Sequence, residues 1–315
     1  MADNLMTIAD LVKINSNDVD DHDITDLLND APFIRALVAD TASNGTSHKY
    51  TKESSAPVVG FRAANAGRAH SKSGDTLVTI DLKILDASVT VDKAIADAYT
   101  KGGPDALMAR EGKRHLRAAF AAAEAQLLYG VGAADAGGFV GLADATTLDH
   151  TTDAQVVDAT GATACSSVYA IRSIDELSDV ALITGNDGSI TVGERFDHFA
   201  IDGDGKKFPA YGQAIEGWLA LQIGSIHSVA RLANLDATTK GLNDDLLSDL
   251  LSLAPSSRPF TMLVMNRRSL KQLQQSRTAT NASGAAAPFP TEAFNVPIIV
   301  TDAVSSAETA LVAEA

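Results

Sequence analysis

The chain has 315 residues, and its 25 Lys and Arg against 40 Asp and Glu give a formal net charge of −15 at pH 7. Hydrophobic residues at 45% and charged residues at 21% exclude an intrinsically disordered protein, and the acid excess argues against tight, sequence-neutral binding to a phosphate backbone. One cysteine, Cys165, excludes an intramolecular disulfide framework and every multi-cysteine zinc motif. No apolar run reaches the roughly 18 residues of a membrane span; AAFAAAEAQLL is interrupted by Glu124 and Gln126. The opening MADNLMTIADL is acidic where a signal peptide needs a basic region.

The first thirty residues hold eight Asp (3, 10, 18, 20, 21, 23, 26 and 30) and one basic residue, Lys13. Such a segment repels itself and reads as an extended arm, or more blandly as a solvated acidic tail. Leu5-Ile8-Leu11-Val12 and Ile24-Leu27-Leu28 are spaced for helical turns that dock on something.

Residues 49–92 read as a long two-stranded hairpin. The outgoing strand is expected from Tyr50 to Val58, Val59 and Phe61. The return strand alternates, with Val78, Ile80, Leu82 and Ile84 on one face. The phase then flips to Leu85, Ala87, Val89 and Val91, which suggests a β-bulge near Ile84-Leu85. The tip, residues 63–74, is small, polar and basic, with Arg68, His70 and Lys72. It reads as projecting, the alternative being an ordinary solvated loop.

From Gly103-Pro104-Asp105 a helix is expected to run to Tyr129 and stop at Gly130 and Gly132. Leu116, Phe120, Ala123 and Leu127 form its apolar stripe. At about 1.5 Å per residue it is roughly 39 Å long, against a radius of gyration of about 20 Å for a compact chain of this length, so the subunit should be flat or elongated. Its basic residues Arg110, Lys113, Arg114 and Arg117 read as a phosphate-binding stripe or, better in so acidic a protein, as a solvated face or one that meets acidic neighbours.

Residues 166–173, 179–185 and 189–193 read as short strands, with a turn at Asn186-Asp187-Gly188. Residues 214–235 read as one long strand, central because both its faces are apolar. A second α/β part follows: a helix from Asn243, the strand PFTMLVMN, the helix NRRSLKQLQQS, a Gly/Ala/Pro loop and the strand FNVPIIVTD. No fixed-period repeat is visible.

A search for chemistry finds no HExxH, CxxC, Walker A or GxSxG motif, and the seven His are widely spaced. Asp202-Gly203-Asp204-Gly205 lacks the remaining calcium ligands and reads as a turn. Cys165 has no nearby His, and His227 shares the phase of Val229 like a core histidine. No catalytic, cofactor or metal residue is assigned, and an enzyme is not expected unless distant residues assemble a site.

The order of parts resembles the major capsid proteins of tailed bacteriophages (Caudoviricetes). DITDLLNDAPFIRAL is similar to the family's N-terminal arm. VVGFRAANAGRA followed by TIDLKILDASVTVD is similar to its extended loop, with the pair Phe61-Arg62. AAEAQLLYGVG and GFVGLAD resemble the end of the spine helix and its glycine-rich exit. Residues 203–236 carry the most specific stretch, a Tyr/Trp-to-Arg-x-Ala-Asn strand. FTMLVMNRRSLKQL and FNVPIIVTDAV resemble elements of the axial domain.

The resemblance implies an α+β Hong Kong 97-like capsid fold. Its parts would be an N-terminal arm (1–48), an extended β-hairpin loop (49–92), a spine helix of the peripheral (P) domain (93–130), a connecting, axial-type segment (131–178), P-domain long strands (179–235) and an axial (A) domain (236–315). It implies a structural subunit that assembles through pentamers and hexamers into an icosahedral head around double-stranded DNA, without sequence-specific DNA binding and without a membrane. Intersubunit contacts would come from Phe61, Arg62, Arg68, His70 and Lys72 of the loop, and from Ile24, Leu27, Leu28 and Phe33 of the arm. Other copies of the chain are the implied partners, with scaffolding, portal and decoration proteins as further ones. The implied location is the virion, after assembly in the host bacterial cytoplasm. An encapsulin-type bacterial compartment shell shares the fold and is the second reading; an enzyme with a dispersed site is the third.

Overall fold

The computed structural model describes residues 30–55, 57–69, 71–131, 137–149, 154–174, 179–185, 190–282 and 284–311. Pro32 opens a single turn of helix, α1 (Pro32–Ala36), at a position where its missing N–H costs nothing, and β1 (Val38–Thr41) follows. β2 (Ser47–Ser55) and β3 (Gly74–Asp81) form an antiparallel pair by themselves, from Ser47 opposite Asp81 to Ser55 opposite Gly74. The chain continues through β4 (Lys83–Asp86) and β5 (Val89–Asp92). Asp92 then caps α2 (Lys93–Asp97) by accepting from the Ala94 amide. The spine helix, α3 (Gly103–Tyr129), spans 27 residues with Pro in its first turn, close to the bounds read from sequence.

Next come β6 (Val156–Asp158), β7 (Ser166–Ile171), β8 (Val180–Thr184), β9 (Thr191–Val192), β10 (Phe196–Ile201), β11 (Lys207–Gln213), β12 (Ile215–Ile223) and β13 (Val229–Leu235). The last elements are α4 (Asp244–Ser252), β14 (Met262–Met265), α5 (Arg267–Ala279), β15 (Glu292–Ala293) and β16 (Val296–Val300). Asn243 and Asn266 cap α4 and α5 through their side chains. The Asn186-Asp187-Gly188 turn lies outside the described residues.

Three sheets share the rest. One runs β1-β8-β12-β4, with β9 on the end of β12; the second runs β10-β11-β5; the third runs β15-β16-β14-β7-β13-β6. The central strands of the third, β14, β7 and β13, are buried on both faces, and their side chains alternate between two cores. Tyr169, Ile171, Val229 and Val264 point to a core with Phe33, Leu127, Leu128 and Leu182. Val168, Ala170, Leu232 and Leu263 point the other way, to Leu247, Leu250 and Leu273 of α4 and α5.

The structure corrects the sequence reading at three places. The outgoing hairpin strand ends at Ser55, and Val58, Val59 and Phe61 are exposed outside any strand. The return strand is three strands that serve three sheets, so its phase change is a change of partner: Leu82 is buried beside the hairpin, Ile84 is exposed, and Leu85 faces inward once β4 pairs with β12. Residues 214–235 are two strands in different sheets, parted by Gly224 and a 3₁₀ turn at Ile226–Ser228. The Ser225 hydroxyl caps that turn.

Gly130 and Gly141 explain the glycine-rich exit from α3. A Cβ on Gly130 would lie 2.1 Å from the Phe139 carbonyl, and one on Gly141 would lie 2.6 Å from the Gly130 nitrogen. The backbones cross where no side chain fits.

Candidate assembly surface and its anchors

The loop from Pro57 to Ser73 carries Arg62, Arg68 and Lys72 and no Asp or Glu. Phe61 is fully exposed, and Val58 and Val59 are 71% and 83% exposed. Arg62 and Lys72 are exposed and Arg68 is half-buried. The loop is held by its own bonds: Arg68 Nη2 donates to the Val58 carbonyl at 2.5 Å, the Val58 amide donates to Ser71 Oγ at 2.7 Å, and Arg62 reaches the Ala66 carbonyl at 3.4 Å. It presents apolar side chains among cations, a combination that a solitary globule has no reason to display. His70 lies outside the described residues.

The root of the hairpin is fastened to β12. His48 is buried; its Nδ1 accepts from the Ser43 amide at 3.2 Å, so its Nε2–H donates to Gln222 Oε1 at 2.7 Å. Tyr50 stacks on the same imidazole and donates to the Ile223 carbonyl at 3.3 Å. Burial pushes the Tyr50 phenol up, so it stays a donor. The tip is thus exposed on a fixed base.

The arm residues divide. Ile24, Leu27 and Leu28 lie outside the described residues. Phe33 is wholly buried in its own subunit's core, which corrects its assignment as a contact with a neighbour: no surface of it is left to offer. Its amide donates to Glu124 Oε1 of α3 at 2.5 Å, and Glu124 Oε2 accepts from Thr301 Oγ1 at 3.0 Å. Burial raises the Glu124 carboxyl above its usual range, although these hydrogen bonds oppose the shift. Two turns of the helix away from that contact, Arg117 pairs with Asp30. The basic residues of α3 therefore meet acids in part, since Arg114 also bonds Glu111 at 3.0 Å.

A second buried carboxylate ties the end of α3 to the third sheet. Glu308 accepts from Arg231 Nη2 at 2.9 Å, from Ser167 Oγ at 2.6 Å and from the Tyr129 hydroxyl at 2.5 Å. Burial, reinforced by Tyr169 and Glu308, keeps the Tyr129 phenol protonated. Sequence reading missed His48, Glu124, Arg231 and Glu308. The one available signal was Glu124, an acid in the middle of an apolar helical run.

Among the described residues, no group of three or more His, Cys, Asp or Glu could hold a metal ion. No described helix is long and apolar enough to cross a membrane. Every buried charged group above is bonded within the structure, so the chemistry on view is that of contact and anchorage.

A family model described as major capsid protein GP7 matches residues 16–312. The chain belongs to that family. Solved structures agree on the fold of this capsid protein. The structure of bacteriophage epsilon15 matches with a TM-score of 0.66 at 18% identity, over 99% of this chain and 98% of that one. The bacteriophage JBD30 capsid matches with a TM-score of 0.50 at 14% identity, over 95% of this chain and 99% of that one. No curated protein matches it. The α+β capsid fold read from sequence is therefore present, and the capsid protein is a structural subunit of a shell built from copies of itself, not an enzyme.

Proposed function

We propose that the capsid protein closes its shell by laying the loop 57–73 of each subunit on the body of a neighbour, around pentamers and hexamers, to form the icosahedral head that encloses double-stranded DNA. The observation that carries this reading is the loop itself, cationic and apolar, exposed at its tip and fastened at its root through His48 and Tyr50. Closed symmetric shells need heterologous contacts, in which one surface of a subunit meets a different surface of the next. A rigid projection suits such a contact better than a mobile tail, because less ordering entropy is lost on docking. In this reading the axial part contains the third sheet with α4 and α5, and β7 and β13 belong to it although they come earlier in the chain. Scaffolding, portal and decoration proteins are further partners, DNA is enclosed without sequence recognition, and assembly takes place in the bacterial cytoplasm before the protein resides in the virion.

The test replaces residues 58–72 by a short Gly/Ser linker. The shortened subunit is expected to keep its thermal midpoint and to form no shells under negative stain. Normal shells from that subunit would remove the loop from the assembly contact.

A further inference from the structure

Strand β4 ends the first sheet: one of its edges pairs with β12, and no described strand pairs with the other. Beside it, against α3, lies an open groove of about 140 Å³. Its lining is mostly apolar, from Ile84, Leu85, Ala122, Ala123 and Phe139, with Lys83 at its border. A cavity of about 150 Å³ with an apolar lining holds one benzene molecule, so the groove has the size of a single phenyl side chain. Ile84 is 51% exposed beside it.

Two residues along the same strand, roughly 7 Å away, Asp86 stands on the same face as Ile84. Its partner across the ladder is Glu216 of β12, as Trp218 is the partner of Ile84. Both carboxylates are exposed, and among the described residues neither pairs with a Lys or Arg. Hydrogen bonds from the Ser88 hydroxyl and amide hold the Asp86 carboxyl below its usual range, so it is charged at neutral pH. Like charges directly opposite each other in a sheet repel, and an incoming cation would relieve them. The surface thus asks for an aromatic ring with a cation next to it.

The loop 57–73 presents that pair. Phe61 is fully exposed, and Arg62 follows it. The other exposed phenylalanines lack the cation: Phe199 is followed by Ala200, Phe289 by Pro290 and Phe294 by Asn295. Phe196 follows Arg195, but that guanidinium is engaged by Asp105 and by the Tyr211 ring. Phe61 lies outside the groove of its own subunit, since its whole side chain is exposed.

We infer that the groove between β4 and α3 receives Phe61 from a second copy of the chain, whose Arg62 pairs with Asp86 and Glu216. The inference rests on the loop reading above and names the surface on which the loop lands. The two fail differently. If the loop touches no neighbour, the subunit with a linker in place of 58–72 forms shells. If the loop lands elsewhere, that subunit forms none, and Phe61 does not meet Ile84.

The test uses shells from cells that express two single variants together, F61C and I84C, followed by non-reducing electrophoresis and peptide mass spectrometry. Each chain carries one new thiol and the native Cys165 is buried, so a disulfide joining the two variants reports a contact between subunits. Such a bond needs Cα atoms within about 7 Å. The expected yield is about tenfold above that of F61C with F199C, whose parent Phe199 is 70% exposed on β10. Equal yields, or a disulfide with F199C alone, would overturn the inference. If either cysteine variant forms no shells, a charge exchange decides. E216K should lower shell yield about tenfold, because like charges brought together across an interface are costly, and R62E in the same chain should restore it. Parent-like assembly of E216K, or no restoration by R62E, overturns the inference.

Discussion

Arg231 and Glu308 form an ion pair at 2.9 Å whose side chains are only 5% and 8% exposed. The pair joins β13 to the C-terminal segment, and Glu308 also holds Tyr129 at the end of α3 and Ser167 on β7. A buried pair is weak evidence of net stabilisation, because desolvation offsets much of the attraction. Its geometry nevertheless fixes how the spine helix sits on the third sheet.

Removing one partner should therefore hurt far more than removing both. E308Q leaves the Arg231 guanidinium buried without a counter-charge, and the expected loss is about 3–5 kcal/mol in urea unfolding. The apolar double variant R231M/E308L should recover most of that loss. A double variant as unstable as E308Q would show that the hydrogen bonds to Tyr129 and Ser167, and not the charge pair, carry the junction.

Asn234 does a similar task one strand turn away. Its side chain acts as a peptide for Leu311: Oδ1 accepts from the Leu311 amide and Nδ2 donates to the Leu311 carbonyl, both at 2.8 Å. Its backbone has φ of +58°, a region that Asn tolerates and Ala does not. N234A should lose about 2–4 kcal/mol from both causes together, and N234G should lose less because only the clasp is gone. Equal losses in the two variants, measured by chemical unfolding, would mean that backbone conformation plays no part.

The elements of this fold were readable wherever local signals decide. Pro104 and Gly130 bound α3, Asn243 and Asn266 cap α4 and α5, and short runs buried on both faces mark β7 and β14. What could not be read was where strands go after they form. The run 77–92 alternates with one change of phase at Ile84-Leu85, yet it serves three sheets, because partner choice depends on residues more than a hundred positions away, such as Trp218 opposite Ile84. The anchors were hidden for the same reason. Glu124 and Phe33 are 91 positions apart and Tyr129 and Glu308 are 179 apart, and neither pair leaves a local motif. The loop tip was legible because charge and exposure are properties of a segment by itself.

Glu124 gives the subunit a defined pH response. Burial raises its carboxyl in the folded state, so the folded chain binds this proton more readily than the unfolded chain does. Its contribution is therefore most favourable below the ordinary carboxylate range and declines as pH rises through the raised folded value. E124Q keeps an acceptor for the Phe33 amide and removes the ionisation. Its stability relative to the parent should be higher at pH 7 than at pH 4.5, by paired thermal unfolding curves. A difference independent of pH would show that Glu124 is not titrating. E124A, which leaves the Phe33 amide without an acceptor, should lose about 1–3 kcal/mol at either pH.

The loop cations have two separable roles, and salt distinguishes them. Arg62 and Lys72 are exposed, and Arg62 makes only a long 3.4 Å bond to Ala66, four residues on, where Arg68 ties the two sides of the loop together, so their effect on assembly should act mainly through long-range charge. R62E/K72E should slow shell formation, followed by light scattering, much more at about 0.1 M salt than at about 1 M, where the screening length falls from roughly 10 Å to roughly 3 Å. Arg68 also donates to the Val58 carbonyl and closes the loop. R68A should therefore weaken assembly at both salt concentrations, with its subunit stability within about 0.5 kcal/mol of the parent because the bond lies outside the core. In R68E/K72E the two effects add, leaving a salt-sensitive part on top of a constant one. If R62E/K72E assembled equally slowly at both concentrations, these charges would not be facing acids on the next subunit, and the contact would have to rest on Val58, Val59 and Phe61 alone.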